Sequence, residues 1–224
     1  MAASTSQQLQ EFYDVLLKHF GGQNWWPGDT PFEVMAGAIL TQNTSWQNVA
    51  KAIGNLKRAG VLEPRVLAEM AEKQLAELIR PAGYYNIKAK RLSNFVKWFV
   101  ERFEGDAEAA KQVDTESLRE ELLSIKGVGL ETADSILLYG LEKLVFVVDR
   151  YACRILWRHH LLDDEIEYHY VQELFTEALP ADLELYNEYH ALLVALGKTY
   201  CRPRPKCEDC PLKDFPHRLA TEQS

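Results

Sequence analysis

The sequence has no basic excess: 25 Lys and Arg stand against 33 Asp and Glu, a net charge of −8. That excludes a protein that coats nucleic acid by bulk electrostatics alone. No apolar run approaches the ~20 residues of a membrane-spanning helix. The Met1-Ala-Ala-Ser-Thr start lacks a basic stretch leading into an apolar core, so an intracellular, cytoplasmic protein is expected rather than a secreted or inserted one. Repeats and low-complexity tracts are missing, which excludes solenoids and flexible linkers. Strand patterning is nearly missing too, since only Val145–Val148 reads as β-like and is too short to found a sheet. Four cysteines in an intracellular chain are more consistent with a metal site than with a disulfide framework.

What remains reads as helix, with a 47% apolar and 26% charged composition ordinary for a globular protein. Helices are expected over Gln8–Phe20, Phe32–Leu40, Ser45–Ala59, Glu63–Met70, Glu72–Arg80, Ile87–Phe103, Thr115–Ser124, Leu130–Tyr139, Asp149–Trp157, Tyr168–Ala178 and Leu183–Leu196. Thr30-Pro31 supplies an N-cap and a first-turn proline for the second of these. Basic side chains cluster at Lys88, Lys90 and Arg91, at Arg150, Arg154 and Arg158, and at Arg202, Arg204 and Lys206. Much of the acid lies elsewhere, in Glu101–Glu121 and Asp163–Glu167.

Gly127-Val128-Gly129 carries the most information. It separates two helical patterns, and two glycines around one apolar residue make a turn that a Cβ-bearing residue accepts less readily. Such a turn aims the first amides of the next helix outward as an anion site, suited to a nucleic-acid phosphate. About twenty residues on, after the apolar run Leu144–Val148, stands one carboxylate, Asp149. Taken singly, the glycines make a helix–helix turn and the aspartate a helix N-cap. Taken together, they read as an enzyme acting on nucleic acid.

Cys201-x5-Cys207-x2-Cys210 has metal-site spacing, and thiolates suit either iron–sulfur or zinc. Cys153, on an apolar-looking helix, reads as a core residue.

The hairpin with Asp149 resembles the endonuclease III superfamily of DNA glycosylases, defined by a helix-hairpin-helix followed by a Gly/Pro-Asp element. Trp25-Trp26-Pro27, Leu40-Thr-Gln-Asn-Thr44, Gly83-Tyr-Tyr-Asn86 with Lys88-Ala-Lys-Arg-Leu92, and Leu130-Glu-Thr-Ala-Asp134 are most similar to its 3-methyladenine DNA glycosylase branch. The resemblance implies an all-α, two-lobed fold with a cleft between lobes. One lobe is a six-helix barrel over residues 30–139, and the other joins 1–29 to 140–224 with the Cys-rich loop. It also implies a monomer acting on double-stranded DNA with a damaged base, without membrane contact.

Residue by residue, Asp149 matches the catalytic aspartate, whose carboxylate stabilises cationic character at the sugar C1′ and orients or deprotonates water. Bifunctional members carry a Schiff-base lysine where this chain has Glu131, so base release by hydrolysis without strand cleavage is expected. Trp25 or Trp26, with Pro27 beside them, and Trp46 match the base pocket, where an aromatic face attracts a cationic base by about 0.5–2 kcal/mol. Glu131 could add a contact there. The alternative for the tryptophans is core packing. Gln42 matches the residue that fills the space left by the flipped nucleotide; alternatively, it and Asn43 cap the following helix. Gly127, Val128, Gly129, Lys88 and Lys90 are expected at the DNA backbone, the lysines otherwise forming a solvated helix face. The family loop holds a 4Fe-4S cluster with four cysteines. Here the first spacing is one residue shorter and Phe215-Pro216-His217 replaces the fourth cysteine, leaving His217 as candidate fourth ligand and zinc as the alternative metal.

Overall fold

The computed structural model describes residues 4–163 and 167–218. Of the acidic stretch Asp163–Glu167, residues 164–166 lie outside them. The described residues form helices and no strand: α1 Thr5–Phe20, α2 Pro31–Leu40, α3 Trp46–Arg58, α4 Pro64–Glu69, α5 Glu72–Leu78, α6 Tyr85–Phe103, α7 Ala107–Lys111, α8 Thr115–Ser124, α9 Leu130–Ser135, α10 Arg150–Arg158, α11 Tyr168–Ala178 and α12 Leu183–Thr199. The all-α expectation holds. The chain divides into one unit of Trp26–Lys143 and another of Met1–Trp25 with Leu144–Ser224.

In the Trp26–Lys143 unit, α2 is the central helix. Its sequence is apolar on all sides, so every residue from Phe32 to Leu40 is buried. Thr30 caps it by accepting from the Glu33 amide, and Pro31 opens its first turn. Glu33 is nine-tenths buried and is stabilised by Lys57 at 2.6 Å and by the Asp29 amide. Helices α3, α6 and α9 pack around α2. After Ser135 the helix widens into a π-helical turn, Ile136–Gly140. A Cβ on Gly140 would sit 2.5 Å from Met35 Cγ, so glycine sets how closely this turn lies on α2.

In the other unit, Leu9, Phe12 and Leu16 of α1 pack toward α11 and α12, and α10 lies along α12. Residues Val145–Val148 do not form a strand. Their backbone groups are met by side chains instead: Gln172 Nε2 donates to the Phe146 carbonyl at 2.7 Å, and the Val148 amide donates to the Tyr168 hydroxyl at 3.3 Å. The Phe146 ring stacks on Phe175 at 4.1 Å, so the β-like pattern reflects an extended segment buried on both sides.

Candidate active site

The hairpin is assembled from α8 and α9. The Val128 amide donates to the Ile125 carbonyl, the Ala133 amide donates back to the Gly129 carbonyl, and Val128 is buried beneath the turn. Arg119 on α8 clamps Asp134 on α9 through two bonds of 2.6 and 3.2 Å, both groups buried. The two glycines do different work. Gly127 has φ +105° and a Cβ there would overlap the Arg91 side chain, so the fold requires it. Gly129 caps α9 with φ −108° and has open space around its missing Cβ. Nothing in the interior demands glycine at 129.

Two of the expected DNA contacts behave differently in the structure. Lys88 is not on a solvated face. It is 2% exposed, and its amine donates to the Leu40 and Ala82 carbonyls at 2.9 and 2.7 Å. Burial, assisted by the nearby Arg91 charge, lowers its pKa to about 8. Lys88 therefore caps the end of α2 and a neighbouring turn and is out of reach of a phosphate, whereas Lys90 is exposed. Gln42 is half-buried and spends its amide on the hairpin: Nε2 donates to the Gly127 carbonyl and the Thr132 hydroxyl, each at 3.0 Å, and Oε1 accepts from Arg91. Entering a duplex would break these bonds, at about 0.5–1.5 kcal/mol each. Asn43 beside it is exposed with a left-handed φ of +53°.

Trp26 and Trp46 come together in this unit. Their rings meet edge-to-face at 4.9 Å, and Trp26 stacks on Tyr139 at 5.0 Å and 29°. Gly37 of α2 makes room for both indoles, its absent Cβ lying 3.3 Å from Trp26 Nε1 and 3.5 Å from Trp46. Tyr139 belongs to the π-helical turn and was hidden in a wholly apolar stretch. Pro27 and Glu131 are exposed, Glu131 in the first turn of α9.

Asp149 and Trp25 belong to the other unit. Asp149 ends the extended segment and caps α10, its Oδ1 accepting from the Ala152 amide at 2.8 Å while it remains only 9% exposed. Its other oxygen, Oδ2, faces Nε2 of buried His190 on α12 at 3.6 Å. Lys198, two turns further along α12, also lies near Asp149. Burial lowers its amine, and attraction to Asp149 opposes that shift. The Lys198 ammonium stands 5.6 Å from the Trp25 ring centroid. Neither His190 nor Lys198 carried a sequence signal, being 41 and 49 residues from Asp149 in chain order.

Cys201, Cys207, Cys210 and His217 line one recess together with Arg158 and His159. Burial pushes the Cys210 thiol up to about 11, with Cys201 and Cys207 adding to the shift, so the sulfurs sense one another. A thiol raised this far stays protonated at neutral pH unless a cation beside it favours the thiolate. Among the described residues, no group of three His, Cys, Asp or Glu side chains converges as a single ion requires. Three thiols and an imidazole lining one recess are a donor set that suits either an iron–sulfur cluster or zinc. Arg158 steadies the loop, donating to Cys201 Sγ at 3.2 Å and to the Arg202 carbonyl at 2.6 Å. Nδ1 of His217 lies 2.8 Å from the Phe215 carbonyl.

The comparisons agree with this architecture. Residues 36–181 match the model of the HhH-GPD superfamily of base excision DNA repair proteins. A Methanocaldococcus jannaschii protein, provisionally named a DNA repair glycosylase, is 50% identical over 96% of this chain and 98% of its own. Endonuclease III of Thermotoga maritima is 32% identical over 82% and 81%. Among solved structures, the H. pylori 3-methyladenine DNA glycosylase bound to 1,N6-ethenoadenine is 30% identical, with a TM-score of 0.74 over 88% of this chain and 98% of that one. A non-covalent endonuclease III–DNA complex shares the fold at a TM-score of 0.81 and 21% identity, covering 98% of each chain. The chain belongs to the HhH-GPD superfamily of base excision DNA repair proteins, the glycosylase superfamily its hairpin and aspartate resemble.

Proposed function

We propose that this protein is a monofunctional DNA glycosylase that hydrolyses the N-glycosidic bond of alkylated purines of the 3-methyladenine type. The observation that carries the reading is the residue pair at its two motif positions: a carboxylate, Asp149, fixed at a helix start, and a carboxylate, Glu131, where bifunctional members hold an amine. Asp149 stabilises the cationic sugar and orients water. Without an amine at 131, no imine forms there and the strand stays intact. The base after alkylation is cationic and its glycosidic bond already weak, so selection matters more than activation. The ring set of Trp26, Trp46 and Tyr139 has the chemistry to select a cation. The 30% identical H. pylori glycosylase supports the purine reading.

The DNA backbone is assigned to the hairpin at Gly127, Val128 and Gly129, and to exposed Lys90. Cys201, Cys207 and Cys210, with His217 as fourth ligand, would hold a 4Fe-4S cluster. That group would supply folding of the loop bearing Arg202, Arg204 and Lys206, and no chemistry on the base. A second reading, a glycosylase for oxidised or mismatched bases, is favoured by the 32% identical endonuclease III and by a 27% identical thymine-DNA glycosylase from Aeropyrum pernix.

Incubation with methylated duplex DNA, chromatography of the released bases and alkali treatment of a parallel sample test the proposal. Free 3-methyladenine, with nicks appearing only after alkali, is the expected result. Nicks before alkali, or release only from oxidised or mismatched duplexes, would overturn it.

A further inference from the structure

We propose that His190 is the positioning residue for the Asp149 carboxylate, holding its second oxygen in register for the reaction; this rests on Asp149 being the catalytic carboxylate. The terminal torsion of an aspartate is broad and two-fold, so a carboxylate tied at one oxygen still swings. Asp149 is tied at Oδ1 by the Ala152 amide at 2.8 Å. Nε2 of His190 stands opposite Oδ2 at 3.6 Å, so a shift of about half an ångström brings it to hydrogen-bonding distance.

His190 is 4% exposed on a stretch of α12 where Tyr189, Ala191, Leu192 and Leu193 are all buried and apolar or aromatic. A polar ring in such surroundings costs stability unless it has a polar partner. The Asp149 carboxylate is a partner of complementary chemistry. The distance is also not a loose one. A Cβ on Gly197 would overlap the Tyr151 ring, so α12 lies as close to α10 as backbone allows. Arg154 of α10 then spans to α12 and the loop after it, donating to the Gly197 and Cys201 carbonyls at 3.3 and 2.7 Å. The helix carrying the imidazole is thereby locked to the helix that Asp149 caps. Lys198 is the charged group that faces the same carboxylate from α12, and its flexible stem makes it a source of attraction rather than of orientation.

The test is single-turnover excision from methylated duplex DNA, with DNA affinity and melting temperature measured beside it, on three variants of the full chain. His190→Gln keeps an amide nitrogen near the Nε2 position, His190→Asn reaches only the Nδ1 position, and His190→Leu fills the volume without a donor. The expected result is near-native excision for Gln and a loss of about 100-fold for Asn and Leu, the scale of an ångström misplacement of a reacting group, with affinity and melting temperature unchanged. Should Leu fail to fold, the Gln-against-Asn comparison decides alone. Excision by Leu at the native rate, or equal losses in Gln and Asn, would overturn the proposal. Asp149→Asn is the control: if it excises normally, the assignment of Asp149 has failed rather than its link to His190.

Discussion

Replacing each hairpin glycine by alanine separates what the fold requires from what DNA requires. At Gly127 the backbone sits at φ +105° and the new methyl would overlap the Arg91 side chain. The conformation costs about 1–2 kcal/mol and the overlap about 1–3 kcal/mol. Displacing Arg91 also breaks its bond to Gln42. Gly127→Ala should therefore lose about 2–5 kcal/mol, read as a fall of roughly 2–4 °C in Tm per kcal/mol. At Gly129 the arithmetic differs. The φ of −108° suits any residue and the space is open. Alanine is a poorer N-cap than glycine, but it restricts the unfolded chain by about 0.4–1 kcal/mol. These offset, and stability should move by no more than about 0.5 kcal/mol. The methyl would instead stand where a phosphate approaches the α9 amides. Losing one charge-assisted bond there is worth about 1.5–3 kcal/mol, or roughly ten- to a hundredfold in Kd by fluorescence anisotropy on a lesion-bearing duplex. Native affinity in Gly129→Ala would refute the hairpin as the DNA grip. A native Tm in Gly127→Ala would refute the geometry assigned to it.

Other consequences can be measured directly. Arg119→Met strands buried Asp134 and should cost about 3–5 kcal/mol in urea unfolding, much of it regained in Arg119→Met/Asp134→Leu. Lys88, with a folded pKa of about 8 against an ordinary 10.5, loses its proton in the folded protein before the unfolded chain does. The unfolded state therefore binds more protons between those values, and stability from this group rises across that window by on the order of 3 kcal/mol. The neutral amine still has two donors for its two carbonyls, so the stability gap between wild type and Lys88→Met should widen from pH 8 to 10.5. For the metal loop, anaerobically purified protein should carry iron and sulfide in equal amounts with visible absorption. Cys207→Ser should lose both along with loop stability, and stoichiometric zinc in their place would contradict the assignment.

The helices were legible because their caps and apolar faces are local. Thr30-Pro31 starts α2 as its residue types predict, and Gly127 takes the left-handed turn that only glycine accepts readily, whereas Gly129 starts α9 in a conformation open to any residue. Asp149 caps α10 as its type predicts, and the cap fixes one oxygen of the carboxylate that the proposal makes catalytic. What escaped is long-range. Lys88 looks like a surface lysine in sequence, and only the ends of α2 and the Arg80–Ala82 turn meeting over it make it a cap. Gln42 reads as a projecting amide, yet Arg91 and the hairpin hold it. The apolar run through Tyr139 carries no periodicity to reveal a widened turn, because every side of it is buried. Adjacent residues also part company: Trp25 belongs with Lys198 and Trp26 with Trp46 and Tyr139, which a Trp-Trp dipeptide cannot show. His190 is one of several polar residues on α12 in sequence, and only the close packing of α10 on α12 gives it meaning.

One substitution probes the core of this account. Asp149→Asn keeps a side-chain oxygen to cap α10, so the fold and the hairpin stay in place, but it removes the negative charge from the sugar's side. Enzyme in excess over a methylated duplex should then bind with native affinity and release no base above the uncatalysed rate. Base release at the native rate by this variant would mean that the chemistry is done by another group.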